Sequence, residues 1–288
     1  MTRLSRSVAR TFILGLILLT GSVMALGEAS SDDLLAQANV AYASRYDQDV
    51  MSEAIALYES VLVYLDDMSV QSQAFVLNRL CQLCYEASTF SEGDTPEDAV
   101  LLEKGKMYGL ESLRLDPQFA ELAGKDFMGA ISIATDVAAL HWTASNWGIL
   151  CGINPIVGLL QQENVLAMFR RAVEIDPSYW GGSPNSSLGS LLIMSPEFFG
   201  GDMETGLALV ESSLELDPAY LPNHVVLAQY WGFTYGYYGN LTGVRDAELI
   251  ERELAFVLDA DIGDWPFWNR NAKRSAQRLL DQLHEMPE

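Results

Sequence analysis

Cys81 and Cys84 stand three residues apart, the spacing of a redox pair or of half a metal site. They sit within the apolar run LNRLCQLCYEA, whose pattern is helical. Residues three apart share a helix face, but a disulfide between them fits poorly in a continuous helix. The pair therefore reads as two small buried side chains. Cys151 is the only other cysteine, and an exported, disulfide-stapled domain would carry more, in even number. His141, His224 and His284 are scattered, and His224, just after Pro222, reads as a packed residue at a helix start. The acidic pairs Asp32-Asp33 and Asp66-Asp67 fall at helix N-termini or loops, where carboxylates suit the dipole. No Gly-rich loop with a Lys, no HExxH and no G-x-S-x-G is present. The residues point away from an enzyme, from a metal and from a cofactor.

Charge narrows the partners. Asp and Glu number 39 against 17 Lys and Arg, for a net charge of −22. Such a field repels nucleic acid and anionic membrane surfaces, and suits neutral or basic ligands and partner faces. The first ten residues run against this trend, with Arg3, Arg6 and Arg10 and no acid. The apolar stretch Thr11–Leu19 and the small residues around Val23-Met24-Ala25 follow. This is the pattern of a secretory signal peptide over 1–25, cleaved after Ala25, with no Cys near the site to accept a lipid. Residues 26–288 are expected to form one exported, periplasmic domain.

The octets Ser112–Phe119 (SLRLDPQF), Ala172–Tyr179 (AVEIDPSY) and Ser213–Tyr220 (SLELDPAY) give its construction. Proline cannot continue the helix before it, yet suits the first turn of the next one, which the preceding Asp can cap. Each octet is thus a joint between helices, and the aromatic two residues after each Pro plugs the seam. Asn185 to Pro218 is 34 residues, with a turn at Gly201-Asp202; this is the length of a tetratricopeptide (TPR) repeat. Gly206, Val210 and Ser213 lie at the spacing that helix packing asks for. Earlier pairs are LLAQANVAYASRY with EAIALYESVLVYL, and Val70–Ser88 with Pro96–Leu115. Later ones are a helix from Pro222 through Gly239 with Val244–Leu258, and a last helix from Trp265-Pro266 to about His284. The fold class expected is all-α: a TPR-like solenoid or superhelix of helical hairpins, about a dozen helices in one curved right-handed array.

Two segments break this pattern: ALHWTASNWGILCGINP (Ala139–Pro155) and YWGGSPNSS (Tyr179–Ser187), around which the extra residues of the longest repeat should lie. The stretches HWTASNWG (His141–Gly148), AVEIDPSYWGGSPNSSLGSLL (Ala172–Leu192) and SPEFFGGDMETGLALVESSLELDPAY (Ser195–Tyr220) resemble the T-component of TRAP (tripartite ATP-independent periplasmic) transporters. Members of that family are typically lipoproteins, and this chain's signal departs from them in having no lipid-accepting Cys. The resemblance implies a non-enzymatic partner of the TRAP substrate-binding protein (P-component). It also implies a homotrimer with an internal channel for a small apolar or amphipathic ligand. By position, Trp142, Asn146, Trp147, Trp180, Gly182, Pro184 and Asn185 would line or shape that channel. Trp supplies apolar walls with one N–H, Asn a hydrogen bond, and Gly a close backbone approach. Two alternatives stand beside this reading: a general periplasmic TPR scaffold for protein–protein contact, and a redox or metal protein using Cys81 and Cys84.

Overall fold

The computed structural model describes residues 30–91, 95–236 and 240–286. The expected signal peptide lies outside them. Thirteen α-helices are present among the described residues: α1 (Ser31–Ala43), α2 (Gln48–Val61), α3 (Val70–Ser88), α4 (Pro96–Leu113), α5 (Pro117–Leu122), α6 (Phe127–Ile133), α7 (Val137–Ile153), α8 (Pro155–Ile175), α9 (Tyr179–Met194), α10 (Met203–Leu216), α11 (Pro222–Val226), α12 (Ala247–Asp259) and α13 (Pro266–Glu285). The fold is all-α but for one small hairpin.

Local chemistry sets where the helices begin. Ser30 and Thr95 each close a capping box with an Asp three residues on. Asp47, Asp116, Asp126, Asp136, Asp202 and Asp246 cap six further helices through their side chains. Part of the acidic composition is therefore structural, held at the positive ends of helix dipoles. Only Asp116-Pro117 opens and caps a helix directly, as expected of all three joints; α9 and α11 start later, at Tyr179 and Pro222, without a side-chain cap. One contact is nevertheless common to all three. Asp116, Asp176 and Asp217 each accept, through Oδ1, the backbone N–H two residues on, at 2.7, 3.0 and 3.0 Å. The plugging aromatics follow, with Phe119 and Tyr220 fully buried.

Each helix packs on its predecessor along much of the chain: α1 on α2, α2 on α3, α3 on α4, α7 on α8, α8 on α9 and α9 on α10, while α7 also packs on α3 and α4. At the α9–α10 seam backbone meets backbone. A Cβ on Gly189 would lie 2.6 Å from the carbonyl oxygen of Gly206, so only glycine permits this approach. The stack bends until its far end returns to its start. Phe267 and Trp268, on the first turn of α13, share one core cluster with Tyr58, Leu77 and Leu80 of α2 and α3.

Three expectations are corrected. Ala139–Pro155 is no break: α7 runs unbroken to Ile153, and every residue from Ala139 to Trp147 is buried. Its small and apolar residues let the helix be covered on all sides. The extra length after Pro117 forms the short helices α5 and α6 instead. The helix from Pro222 stops early, since α11 gives way to a π-helical stretch, Leu227–Gly232, and then to strand β1 (Phe233–Tyr235). Gly232 abuts Ile250 with no space for a side chain, and buried Phe233 starts the strand. β1 pairs antiparallel with β2 (Leu241–Val244), in the register Phe233↔Val244 and Thr234↔Gly243, with a shift at Tyr235.

Candidate functional site

The joint after α8 carries the most unusual backbone in the described chain. Trp180, Gly181 and Gly182 are all left-handed, at φ 50°, 66° and 82°. For a tryptophan this conformation costs about 1–2 kcal/mol. The surroundings enforce it. Tyr220 packs its ring where a Cβ of Gly181 would be, and Asn223 donates from Nδ2 to the carbonyls of Gly181 (2.8 Å) and Ser213 (3.0 Å). Helical geometry resumes after Gly182. Pro184 falls in this first turn, where its missing N–H loses no intrahelical bond.

The strained turn sets the Trp180 ring edge-on to Trp142, with centroids 5.5 Å apart, and against Trp265 at 5.4 Å. Trp142 in turn stacks on Trp268 (6.0 Å, 18°) and meets Tyr85 at 5.8 Å. Five regions, α3, α7, the α9 turn, the residue before α13 and α13 itself, thus contribute to one aromatic cluster. Trp142 Nε1 donates to the hydroxyl of Tyr179 at 2.9 Å. The indole N–H groups of Trp180 and Trp268 are buried and have no acceptor among the described residues. The cluster is electrically neutral at physiological pH. Burial pushes the His141 imidazole down to about 3 and the Tyr85 phenol up to about 12.

Of the residues singled out from sequence, Trp142 and Trp180 come together here. Trp147 does not. It lies five residues from Trp142, on another side of α7, packs on Phe127 (6.0 Å) and donates from Nε1 to Gln161. Asn146 is a fully buried tie between helices, donating from Nδ2 to the carbonyls of Cys81 (2.9 Å) and Trp142 (2.8 Å). Asn185 holds α9 to α10 through Ser212 at 3.3 Å. Gly182 and Pro184 shape the turn and are buried in it. Sequence reasoning missed Tyr85, Tyr179, Trp265 and Trp268 as members. The signal for two of them was the aromatic density of Trp265-Pro266-Phe267-Trp268, first read only as a helix start.

The cysteines have the character of packed residues. Cys81 and Cys84 are fully buried, and burial holds both thiols protonated, Cys81 at about 12 and Cys84 well above its ordinary value. Among the described residues no group of three or more His, Cys, Asp or Glu side chains is placed to hold a metal. What the cluster offers is packed aromatic rings with two unspent indole N–H donors and an unpaired His141 Nδ1 among the described residues.

A second unusual group adjoins it. The Arg45 and Arg79 guanidinium carbons lie 3.6 and 3.7 Å from the ring centroid of Tyr42, and Arg45 forms a buried ion pair with Glu86. This pins α1 to α3 beside Phe267.

No helix of the described residues is long and apolar enough to cross a membrane. Among curated proteins, none matches the chain. A family model described as TRAP transporter T-component matches residues 98–286, which takes in α5 to α13 and nearly all of α4. The match covers Trp142, Trp180, Trp265 and Trp268, while Tyr85 comes from the helices before it. With more than half of its length matched, the chain belongs to the TRAP transporter T-component family, a family of transporter accessory proteins.

Proposed function

We propose that this chain is a periplasmic, non-enzymatic accessory of a TRAP transporter that takes up a small apolar or amphipathic ligand and docks the substrate-binding protein. The observation that carries the ligand reading is the pair of buried, acceptor-less indole N–H groups of Trp180 and Trp268 on either side of Trp142. A buried donor left unpaired costs about 1–3 kcal/mol, which a ligand oxygen placed between aromatic walls would recover. The ligand is then apolar in body, with an acceptor at one end. Residues Trp142, Trp180 and Trp268 form the wall; Gly182 and Pro184 hold the turn that presents Trp180. Asn146, Trp147 and Asn185 act at one remove, by fixing α7 and α9. The acidic charge supports docking to a basic face of the substrate-binding protein. The working assembly is a homotrimer, exported by cleavage of 1–25.

Native mass spectrometry of the protein purified from its own host tests this. The expected species is a trimer carrying a small lipophilic mass that is lost in the Trp180→Phe/Trp268→Phe double variant. A bare monomer would overturn both the ligand and the assembly.

A further inference from the structure

The three joints share one octet pattern, and comparing the first with the third exposes a difference. In the third, the octet serine is satisfied: Ser213 Oγ donates to the carbonyl of Val210 at 2.7 Å. The second oxygen of its aspartate is also used, since Trp265 Nε1 donates to Asp217 Oδ2 at 3.0 Å. In the first joint neither partner exists. Ser112 is 4% exposed, and its hydroxyl is buried with no partner. Asp116 spends Oδ1 on the N–H groups of Gln118 and Phe119 and, among the described residues, forms no ion pair. In place of an indole there is a cavity of ≈ 330 Å³ at the meeting of α3, α4 and α5.

Its chemistry is specific. Val70, Ala74 and Phe119 line it with apolar surface. Ser112, Asp116, Thr135 and Asp136 line it with oxygen. Asp136 caps α7 through Ala139 N–H (2.9 Å) and accepts from Asn78 Nδ2 (2.8 Å), and among the described residues it too forms no ion pair. The Arg171 guanidinium, which donates to the Ala134 carbonyl beside the cavity, is paired with Glu174. Among the described residues, the cavity therefore carries two carboxylates outside any ion pair and a buried hydroxyl without a hydrogen-bond partner. An anion would be repelled, and a neutral apolar molecule would leave Ser112 unpaired.

The geometry points to a second binding site, at the Ser112–Phe119 joint, for a primary alkylammonium group. Its N–H donors suit the Ser112 hydroxyl and the Asp116 and Asp136 carboxylates, and its aliphatic stem matches the Val70–Ala74–Phe119 wall. No lining residue belongs to the Trp142 cluster, so the site does not depend on the ligand reading above. The group could arrive on a free aliphatic amine or as a lysine side chain of a docked protein; the chemistry is the same.

Titration calorimetry of the full chain with n-pentylamine, n-pentanol, pentanoate and Nα-acetyl-lysine amide tests it. Saturable one-to-one binding is expected for the two amines only. Asp116→Asn keeps the helix cap and should weaken amine binding by about tenfold or more, as should Asp136→Asn. Tighter binding of the capped lysine assigns the site to a partner protein, and tighter binding of pentylamine to a free amine. The site is refuted if neither amine binds saturably, if pentanol binds as well as pentylamine, or if both Asn variants bind unchanged.

Discussion

The α9–α10 seam and the Trp142 cluster are both places where helices are held together, yet they are finished differently. At the seam, Gly189 and Gly206 bring backbone against backbone, Val210 is fully buried, and the Ser213 hydroxyl is used within its own helix. In the cluster, large rings from distant parts of the chain meet at centroid separations of 5.4–6.0 Å, and two indole N–H groups remain unspent. The seam contains what packing requires. The cluster contains polar capacity that packing does not use, and a strained backbone that presents it. Such a surplus is a mark of function, because phenylalanine would fill much of the same space without the penalty.

The sharpest way to break this contrast is to remove the centre of the cluster. Trp142 is 1% exposed and touches Tyr85, His141, Trp180 and Trp268. Trp142→Ala should cost about 3–5 kcal/mol in urea unfolding. A loss under about 1 kcal/mol would mean that the rings line open space and contribute little to the fold.

Acid should find the cluster before the seam. His141 packs on Trp142 (4.7 Å) with its pKa lowered to about 3 by burial. Above its ordinary value of 6.5 it is neutral in both folded and unfolded chains, so the full stability is present. As pH falls from there towards 3, the unfolded chain takes up a proton that the folded one refuses, and stability is lost. At pH 4.5 the loss from this one group should be roughly 2–3 kcal/mol. Urea midpoints at pH 7 and 4.5 should converge in His141→Phe relative to the parent. An unchanged difference would show that other groups govern the acid response.

The seam has its own test. A methyl on Gly189 would meet the Gly206 carbonyl at 2.6 Å and Val210 Cγ2 at 2.7 Å. Gly189→Ala should therefore force the helices apart at a cost of about 1–3 kcal/mol, although alanine is the better helix former. A more stable Gly189→Ala protein would show that the seam has slack.

The same contrast explains what could be read from the sequence. The caps and joints are local: Thr95-Pro96, Gly201-Asp202 and Asp116-Pro117 act within a few residues of themselves, and a helix begins beside each, whereas Asp176-Pro177 and Asp217-Pro218 end a helix and lead into a turn. The seam was legible for the same reason, since Gly206, Val210 and Ser213 carry the packing period within one helix. The cluster was half legible. Trp142 and Trp180 stood out by type, but Tyr85 and Trp268 reach them only because the stack bends back on itself, and no short-range pattern encodes that return. Trp147 drew attention by residue type although its position on α7 turns it to a different core. The strand Phe233–Tyr235 was lost inside an apolar run that reads equally well as helix.

The smallest effect on stability separates the two regions best. Trp180→Phe keeps a ring against Trp142 and Trp265 and deletes a buried N–H that has no acceptor. The smaller ring gives up some contact area, while the unpaired donor, worth about 1–3 kcal/mol, disappears. The two changes oppose each other, so unfolding free energy should move by less than about 1 kcal/mol in either direction. An equally conservative change at the seam has no such compensation. Retention of the small molecule proposed to co-purify should nevertheless fall sharply in Trp180→Phe, because phenylalanine cannot donate to an acceptor. If that variant instead loses several kcal/mol and keeps its ligand, the N–H is used by the fold, and the cluster is a second seam built from larger pieces.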